Sequence, residues 1–504
     1  MNLRSLCKDC DGLKRHKLQA FVLNFVAIFL VYNALLQSHF SPDTFAEYVS
    51  EGTQYLWHIS NGRIVYALFH RIFYLLGLRV TVCASLYTFV FMVVSAWCAA
   101  SISDTLCRAT ETTDNKRFLL CNLAALVSMI NFCMLEWYLF PECMFMYTLA
   151  LLGATHGALV FADKGTSFRH KVIASFVWLF IGINSYQAVL GWFGALVLMA
   201  ILAQTDFDLN RRAFGMGVTA MAVGGVNAAL NQLIPRLAQL FGVIESSDRH
   251  VSFSVRQFLF NGEAIYNSQK DFLKNGYYML PDYFLFGALV LGAALLFIAF
   301  DRHRIRRTLS VGVALGTGYL LTLVPHLLSS NLWMTLRTLP AVFLILSLMI
   351  ITAILCGTKR IRALAFLLSL SVLLISSQRV SVIITDHMTT VHTDLAEGRA
   401  ILHEIEKHER ETGTQIDELC FLRDAEMQHC YPGVTTMWMD INPRHLTVLW
   451  EREPFMETLS GRDFTIITLS AEEAEAIVQG RNWQYANYHE QMSFDGNRAY
   501  IILY

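Results

Sequence analysis

The sequence predicts an α-helical polytopic membrane protein with a small C-terminal α/β domain outside the membrane. Two observations lead to this fold class. The 504 residues are 55% hydrophobic and only 16% charged, whereas about a quarter of the residues in a soluble domain are charged. The charges are also dense before Leu18 and after Asp386, and scarce between them apart from short clusters. We therefore expect a membrane-embedded region over residues 1–385 and an extracytoplasmic domain over residues 386–504.

About eleven segments have the length and hydropathy of membrane-spanning helices, which need roughly 20 apolar residues. They are residues 18–36, 80–101, 118–135, 143–162, 172–185, 187–204, 214–234, 283–300, 309–328, 338–356 and 363–384. The count depends most on the region 172–204, because segment 172–185 is short. Segment 64–78 contains His70 and Arg71, and it predicts an amphipathic helix at the membrane interface instead of a span.

Basic residues predict how these spans are oriented. With eleven spans, the Lys and Arg clusters fall in alternate loops, and such clusters mark the cytoplasmic side. The N-terminus is therefore predicted to be cytoplasmic and the C-terminus extracytoplasmic. The long connections 37–79 and 235–282 then lie outside, and long loops frequently carry function.

The tail after Asp386 has the pattern of a small α/β domain. Residues 391–411 are helix-prone, and Ser470 is followed by acidic residues typical of a helix N-terminus. Cys420 and Cys430 share the predicted oxidising side, so a disulfide between them is one alternative. Three apolar runs predict strands: 420–422, 465–469 and 500–503.

An acidic cluster follows the first predicted span. Asp43 comes directly after Pro42, and Glu47 lies four residues further on, so the two carboxylates share one face if the segment is helical. In a loop that lines a cavity at the bilayer surface, such a carboxylate can act as a catalytic base or hold a metal ion. The alternative is a solvated acid on an exposed helix face, which Glu51 would extend.

Two further outer segments combine charge with turns. Arg63 follows Asn61 and Gly62 at the start of the amphipathic segment, where its guanidinium can bind a phosphate bidentately or simply extend to lipid headgroups. Glu136 and Glu142 lie in one short loop between apolar segments. Carboxylates are costly there unless they face water or a partner, so a substrate-binding site and ordinary residence at the interface are both open.

Two outer positions complete the set of candidate residues. Tyr186 and Gln187 lie in a turn too tight to be a mere linker. Arg337 lies at the outer end of the tenth predicted span. A positive charge there runs against the orientation rule, which suggests phosphate binding.

These motifs resemble those of the membrane-embedded GT-C glycosyltransferases, in particular the glucosyltransferases that decorate O-antigen and change bacterial serotype. The likeness covers residues 18 to about 385. It implies a GT-C-like fold in the bacterial cytoplasmic (inner) membrane. It also implies that the donor is a sugar linked to polyprenyl phosphate, with glucose as the favoured sugar, and that the acceptor is a surface glycan such as O-antigen. The residues that carry it are Asp43, Asn61-Gly62-Arg63, Glu142, Tyr186-Gln187 and Arg337.

The resemblance and the local patterns together give the candidate site residues. Asp43, Glu47 and Glu142 are the catalytic candidates, and the substrate-binding candidates are Asn61, Arg63, Glu136, Tyr186, Gln187 and Arg337. Thr44 follows Asp43, whereas the commoner family form has paired aspartates. We therefore assign no metal ligand, and a divalent metal stays an open alternative to a metal-free reaction.

Three other functions are weighed against this one. A flippase or transporter of lipid-linked glycans would carry ionisable residues at mid-membrane depth, whereas the acids here cluster in outer loops. An O-antigen polymerase would depend mainly on arginines in those loops, and a purely structural membrane protein is the third alternative. A net charge of -1 without a basic face argues against a nucleic-acid partner.

Overall fold

A computed structural model describes residues 3–244, 254–300, 304–423, 429–479 and 488–503, with side chains from residue 16 onward. The chain forms two compact units. The helical unit comprises Met1–Ser38, Gly52–Tyr138 and Glu142–Ser381. The mixed unit comprises His39–Glu51, Leu139–Pro141 and Val382–Tyr504.

Helices account for most of the described chain. The first ten are α1 Leu3–Tyr32, α2 Thr44–Ser50, α3 Gln54–Ser60, α4 Ile64–Leu75, α5 Ala84–Ala109, α6 Asn115–Leu126, α7 Phe132–Tyr138, α8 Met144–Leu159, α9 Phe168–Ile183 and α10 Val189–Ala203. The others are α11 Arg211–Leu240, α12 Val255–Asn275, α13 Phe284–Ala299, α14 Arg304–Leu327, α15 Ala341–Cys356, α16 Lys359–Thr412, α17 Arg452–Ser460, α18 Ala471–Val478 and α19 Tyr488–Gln491. The strands are β1 Glu418–Arg423, β2 Thr465–Ile466, β3 Met492–Asp495 and β4 Arg498–Leu503.

Six helical segments of the described chain are long and apolar enough to cross a membrane. They are His16–Leu36, Ala84–Ala109, Pro141–Ala162, Arg211–Leu240, Arg304–Leu327 and Lys359–Thr412. Helices α4, α10, α13 and α15 are apolar but shorter. These helices fit a multi-pass membrane protein, and a small C-terminal sheet is present as predicted. The number of eleven spans stays a prediction.

The structure corrects segment 118–135, which we predicted to be one continuous helix. Helix α6 ends at Leu126 and α7 begins at Phe132. The cause is Asn131, whose Nδ2 donates to the carbonyls of Val127 and Ser128 at 3.0 and 3.1 Å, while its Oδ1 accepts the Met134 N–H at 2.9 Å. A side chain that bonds the backbone in this way replaces helical hydrogen bonds, so the helix is interrupted.

Helix α16 is also longer than predicted, because the segments 363–384 and 391–411 belong to a single helix. The sequence between them contains no proline. Its apolar residues continue at helical spacing, and Val391, Ile401 and Ile405 are all buried. The helix ends before Gly413, which has a φ of 74°, the usual geometry of a C-terminal glycine.

Small residues allow close helix packing in the helical unit. Helix α10 is almost entirely buried, and it packs along α14 through Gly191, Gly194 and Gly318. A Cβ on Gly318 would lie 2.5 Å from the Ala195 Cβ, and one on Gly191 would overlap the Thr322 hydroxyl. Such small-residue contacts replace the hydrophobic effect as the source of association between membrane helices.

The mixed unit is built on a four-stranded sheet of order β2-β1-β4-β3. Strand β1 is parallel to β2 and β4, and β3 is antiparallel to β4. The predicted strands at 420–422 and 500–503 are confirmed, segment 465–469 forms only the short strand β2, and β3 was not predicted. Ser470 caps α18 with Glu473 in a capping box, as its sequence pattern predicted.

The disulfide considered for Cys420 and Cys430 is not formed, because both thiols are free. Cys420 is buried in β1 against Leu422 and Ile502. The Cys430 thiol faces the carbonyl of Val434 at 3.9 Å. Each sulfur therefore has a different environment, and the alternative of a disulfide between them is not realised.

Candidate active site

A cavity of about 720 Å³ lies in the helical unit. Five of the nine residues singled out in the sequence line it, namely Asn61, Arg63, Tyr186, Gln187 and Arg337. They come from three separate parts of the chain, the turn before α4, the turn between α9 and α10, and the segment before α15. The fold therefore brings together residues that the sequence presents as unrelated motifs.

The Asn61-Gly62-Arg63 turn is held in place from two sides. Gln187 Nε2 donates to the Asn61 carbonyl, and Asn231 Nδ2 donates to the Gly62 carbonyl at 2.5 Å. Gly62 has a φ of +75°, and a Cβ there would lie 2.9 Å from both Gln187 Nε2 and Asn231 Oδ1. The turn requires glycine because of both its backbone geometry and this close approach.

Arg63 projects from this turn between aromatic rings. Its guanidinium carbon lies 5.0 Å from the centre of the Trp57 ring and 5.5 Å from that of Tyr186. The Arg63 Nε is buried, and it has no hydrogen-bond partner among the residues that the structure describes. Stacking on rings orients a guanidinium without neutralising its charge, so Arg63 retains hydrogen-bonding capacity beside the cavity.

Arg337 is positioned by a buried carboxylate. Its Nη1 lies 3.2 Å from Glu136 Oε1, and its backbone N–H donates to Glu136 Oε2. The neighbouring Trp137 donates its indole N–H to the Arg337 carbonyl at 2.7 Å. Glu136 is 0% exposed, and its carboxylate fixes the position of Arg337. Its part in substrate binding stays a prediction.

Aromatic packing supports the cavity wall behind these arginines. Trp137 stacks on Tyr147 with ring centres 4.8 Å apart, and Tyr186 meets Tyr147 edge-on at 5.2 Å. Burial raises the pKa of the Tyr186 phenol, although the charges of Arg337 and Arg63 act in the opposite direction. Tyr186 is therefore a neutral hydroxyl near pH 7, able to act as a hydrogen-bond donor.

His58 lies in helix α3, just before the Asn61-Gly62-Arg63 turn. Its ring centre is 4.6 Å from that of Tyr66, and the residue is buried. Burial and the nearby charge of Arg63 lower the pKa of His58 well below its usual value. The imidazole is therefore neutral near pH 7 and adds no positive charge to the arginine side chains.

Glu142 also belongs to the helical unit but does not line the cavity wall described above. It lies in a short 3₁₀ turn, and its side chain is buried. The Tyr66 hydroxyl donates to the Glu142 backbone carbonyl at 2.9 Å. Tyr66 thus ties this turn to helix α4.

Asp43 and Glu47 belong to the mixed unit. Asp43 is half-buried immediately before α2, and its Oδ1 accepts the indole N–H of Trp450 at 3.1 Å. Glu47 and Glu51 are only 4% and 1% exposed. The alternative of an ordinary solvated acidic face is therefore wrong for these two glutamates.

Several residues of these two regions were not identified from the sequence. In the cavity they include Asn231 and Arg236 of α11 and His326 of α14. Around Asp43 they are Trp450 and Glu451, about four hundred residues further along the chain. Arg236 was detectable as a basic residue beside Pro235 at the outer end of a predicted span, but no local signal marks Trp450 and Glu451 as partners of the first loop.

The profile of the glucosyl transferase GtrII family matches residues 32–355. The chain belongs to this family. The match confirms the resemblance to O-antigen serotype-converting glucosyltransferases that the motifs indicated. Searches of curated proteins and of solved structures find no match. This GtrII family member is therefore a glucosyltransferase that acts in glycan modification, with a sugar donor and a glycan acceptor.

Proposed function

We propose that this GtrII family member transfers glucose from a polyprenyl-phosphate donor to a surface glycan such as O-antigen. The reaction takes place on the outer face of the bacterial cytoplasmic membrane. One observation carries the proposal, which is the convergence of Arg63, Arg236 and Arg337 on a single cavity in a unit of apolar helices. A lipid-linked phosphate needs cationic side chains beside apolar surface, and this cavity supplies both.

The arginines bind the phosphate of the donor in this proposal. A planar guanidinium can donate two parallel hydrogen bonds to phosphate oxygens. Arg337 is already oriented by Glu136, and Arg63 by its two aromatic neighbours. When the bond between glucose and phosphate breaks, these cations stabilise the negative charge that develops on the departing phosphate.

Asp43 is the proposed general base. The acceptor hydroxyl oxygen attacks the anomeric carbon of glucose, its proton passes to the Asp43 carboxylate, and the polyprenyl phosphate leaves with the bonding electrons. Direct displacement of this kind inverts the configuration at the anomeric carbon. Glu47 or Glu142 serves as a supporting carboxylate, and a divalent metal remains an alternative source of charge stabilisation.

The proposed membrane arrangement is GT-C-like, with eleven spans in residues 1–385 and an extracytoplasmic domain in residues 386–504. Alternation of the basic loops supports a cytoplasmic N-terminus and an external C-terminus. Reporter fusions test it. Because α16 runs on to Thr412, the fusions are placed after Arg307 and after Gly413, and they should report opposite sides of the membrane. Reporters on the same side would contradict the arrangement.

Glycan analysis of cells with and without the gene tests the function. We expect glucose residues on the surface glycan only when the intact protein is present. Membranes that contain the protein should also move radiolabelled glucose from polyprenyl phosphate to purified O-antigen. A change in glycan chain length would indicate a polymerase, and a loss of all surface glycan would indicate a flippase. Either result, together with no glucose transfer by the membranes, would overturn the proposal.

A further inference from the structure

Asp43 lies at a helix N-cap but does not make the hydrogen bond that is usual for an aspartate there. It is the N-cap residue of α2, where an aspartate normally accepts the backbone N–H two or three residues further on. Here its side chain makes no such capping bond, and its backbone has φ -112° and ψ -9° instead of the extended conformation typical of a cap. The first turn of α2 must therefore be satisfied by another group.

Glu451 supplies the missing cap from a distant part of the chain. Its Oε1 accepts the Phe45 N–H at 2.8 Å, and its Oε2 accepts the Ala46 N–H at 3.4 Å. These are the second and third residues of α2, whose N–H groups the side chain of Asp43 would otherwise accept. Glu451 is 0% exposed, so water does not compete with these two N–H groups for its carboxylate oxygens.

Trp450 contacts the carboxylate of Asp43 directly. The indole N–H is shared between the Pro42 carbonyl at 3.0 Å and Asp43 Oδ1 at 3.1 Å. An indole is a hydrogen-bond donor only, so it can orient a carboxylate without taking up a proton. The bond restricts the side-chain rotation of Asp43.

Aromatic contacts fix α2 against the same segment of the chain. The Phe45 ring meets Phe455 edge-on at 5.0 Å and His445 edge-on at 5.1 Å. Phe455 belongs to α17, which begins directly after Glu451. The backbone that carries Asp43 and the two residues that contact it therefore form one packed substructure.

We propose that Trp450 and Glu451 are positioning residues for the general base Asp43. Glu451 takes over the capping of α2, so that Asp43 does not turn back onto its own helix, and Trp450 orients the carboxylate for proton transfer. This inference rests on the proposed role of Asp43. It gives a part in the reaction to two residues that lie about four hundred positions after Asp43 in the chain.

Three variants of the full-length protein test the inference in the glucose-transfer assay. Trp450→Phe removes the N–H and keeps an apolar ring, and it should lower kcat about tenfold, because small displacements of a catalytic group can reduce rates by up to about a hundredfold. Glu451→Ala should lower kcat by up to about a hundredfold, and Glu451→Gln should recover part of that loss, since its amide oxygen can still accept the Phe45 N–H. The donor KM should stay within about twofold in all three. Leu449→Ala, at an exposed neighbouring residue, is the control that should leave kcat unchanged.

A double-mutant cycle separates positioning from a purely structural role. If Trp450 acts through Asp43, adding Trp450→Phe to Asp43→Asn should not lower the residual rate further. Wild-type kcat in Trp450→Phe and Glu451→Ala, or losses that add fully to that of Asp43→Asn, would overturn the inference and leave the role of Asp43 intact. If Asp43→Asn itself retains full activity, the proposed base is wrong and the inference fails with it. Should Glu451→Ala fail to fold, Trp450→Phe decides, because that side chain is 53% exposed.

Discussion

Two arginines, a buried one in the mixed unit and a half-buried one in the helical unit, lie in different surroundings. In the mixed unit, Arg444 Nη2 lies 2.5 Å from Glu397 Oε1, and the residue is 1% exposed. In the helical unit, Arg63 rests on two aromatic rings at the wall of a cavity. An arginine enclosed together with its carboxylate stabilises the fold, whereas one at a cavity wall, as Arg63 and Arg337 are, can bind an anion from outside. A carboxylate partner alone does not distinguish the two roles, because Arg337 also has one in Glu136.

The largest effect should come from the acid of the mixed unit. Asp43→Asn keeps the side-chain shape and removes its basicity, so transfer should fall by about 10²–10⁴-fold, the usual contribution of a positioned general base. Donor affinity should not change, because phosphate binding is assigned to the helical unit. The measurement is the rate of glucose transfer together with donor binding.

A matched control for this substitution exists in α6. Asp114 is also an N-cap aspartate, and its side chain accepts the Lys116 N–H. Asp114→Asn keeps an oxygen acceptor at that cap, so its transfer rate should equal that of the wild-type protein. If Asp43→Asn also transfers glucose within a few-fold of wild type, Glu142 becomes the better candidate for the base.

The next effect concerns stability rather than binding. Arg444→Met should lower the free energy of unfolding of the mixed unit by about 3 kcal/mol, because Glu397 would lose its buried cationic partner. The loss is measured by denaturing the protein and following unfolding of the mixed unit through its susceptibility to protease. Donor affinity of the folded fraction should match wild type. A fall in donor affinity would mean that Arg444 is not the structural arginine described here.

The cavity arginines should show the opposite behaviour. Arg63→Lys and Arg337→Lys keep the charge but lose the planar fork, so donor affinity should fall about tenfold, equal to roughly 1.4 kcal/mol, with little change in stability. Arg71→Lys is the matched control, since Arg71 also stacks on two tyrosine rings but is not assigned to the site. Wild-type donor affinity in both cavity variants would indicate simple headgroup contact instead of donor recognition.

The smallest effect is local. Ser470→Ala removes the capping box of α18 and should destabilise that helix by about 1 kcal/mol. Faster hydrogen exchange of the first-turn amides of α18 would measure the change. Glucose transfer should be unaffected, which would show that the loss of activity expected for Trp450→Phe is not shared by every change in the mixed unit.

Local patterns were sufficient to predict many elements of this fold. Hydropathy located the long apolar helices, and the Ser470 pattern located a helix start to the residue. The Asn61-Gly62-Arg63 turn, Tyr186 and Arg337 were selected individually from short motifs and then proved to line one cavity. Turns and charges near span ends are signals of short range, which a single sequence contains.

Long-range contacts were not predictable in the same way. Glu136 was singled out because a carboxylate in a short loop between apolar segments needs water or a partner, but the sequence did not reveal that its partner is Arg337, 201 residues away. The capping of α2 by Glu451 was missed for the same reason, because the two partners are 406 residues apart in the sequence. The break between α6 and α7 was missed for another reason, since hydropathy does not record that Asn131 bonds to the backbone.

The stacking of Arg63 on Trp57 has an optical consequence. A charge 5.0 Å from an indole shifts the energy of the excited state of that ring, so an anion that pairs with Arg63 changes the emission of Trp57. Trp57 is 42% exposed, which leaves its ring partly in a polar environment. The chain has nine tryptophans, and the difference between wild type and Trp57→Phe isolates this one. Trp57 is thus a fluorophore beside the proposed phosphate site, and the proposed pairing of the donor phosphate with Arg63 can be tested through its emission without a label.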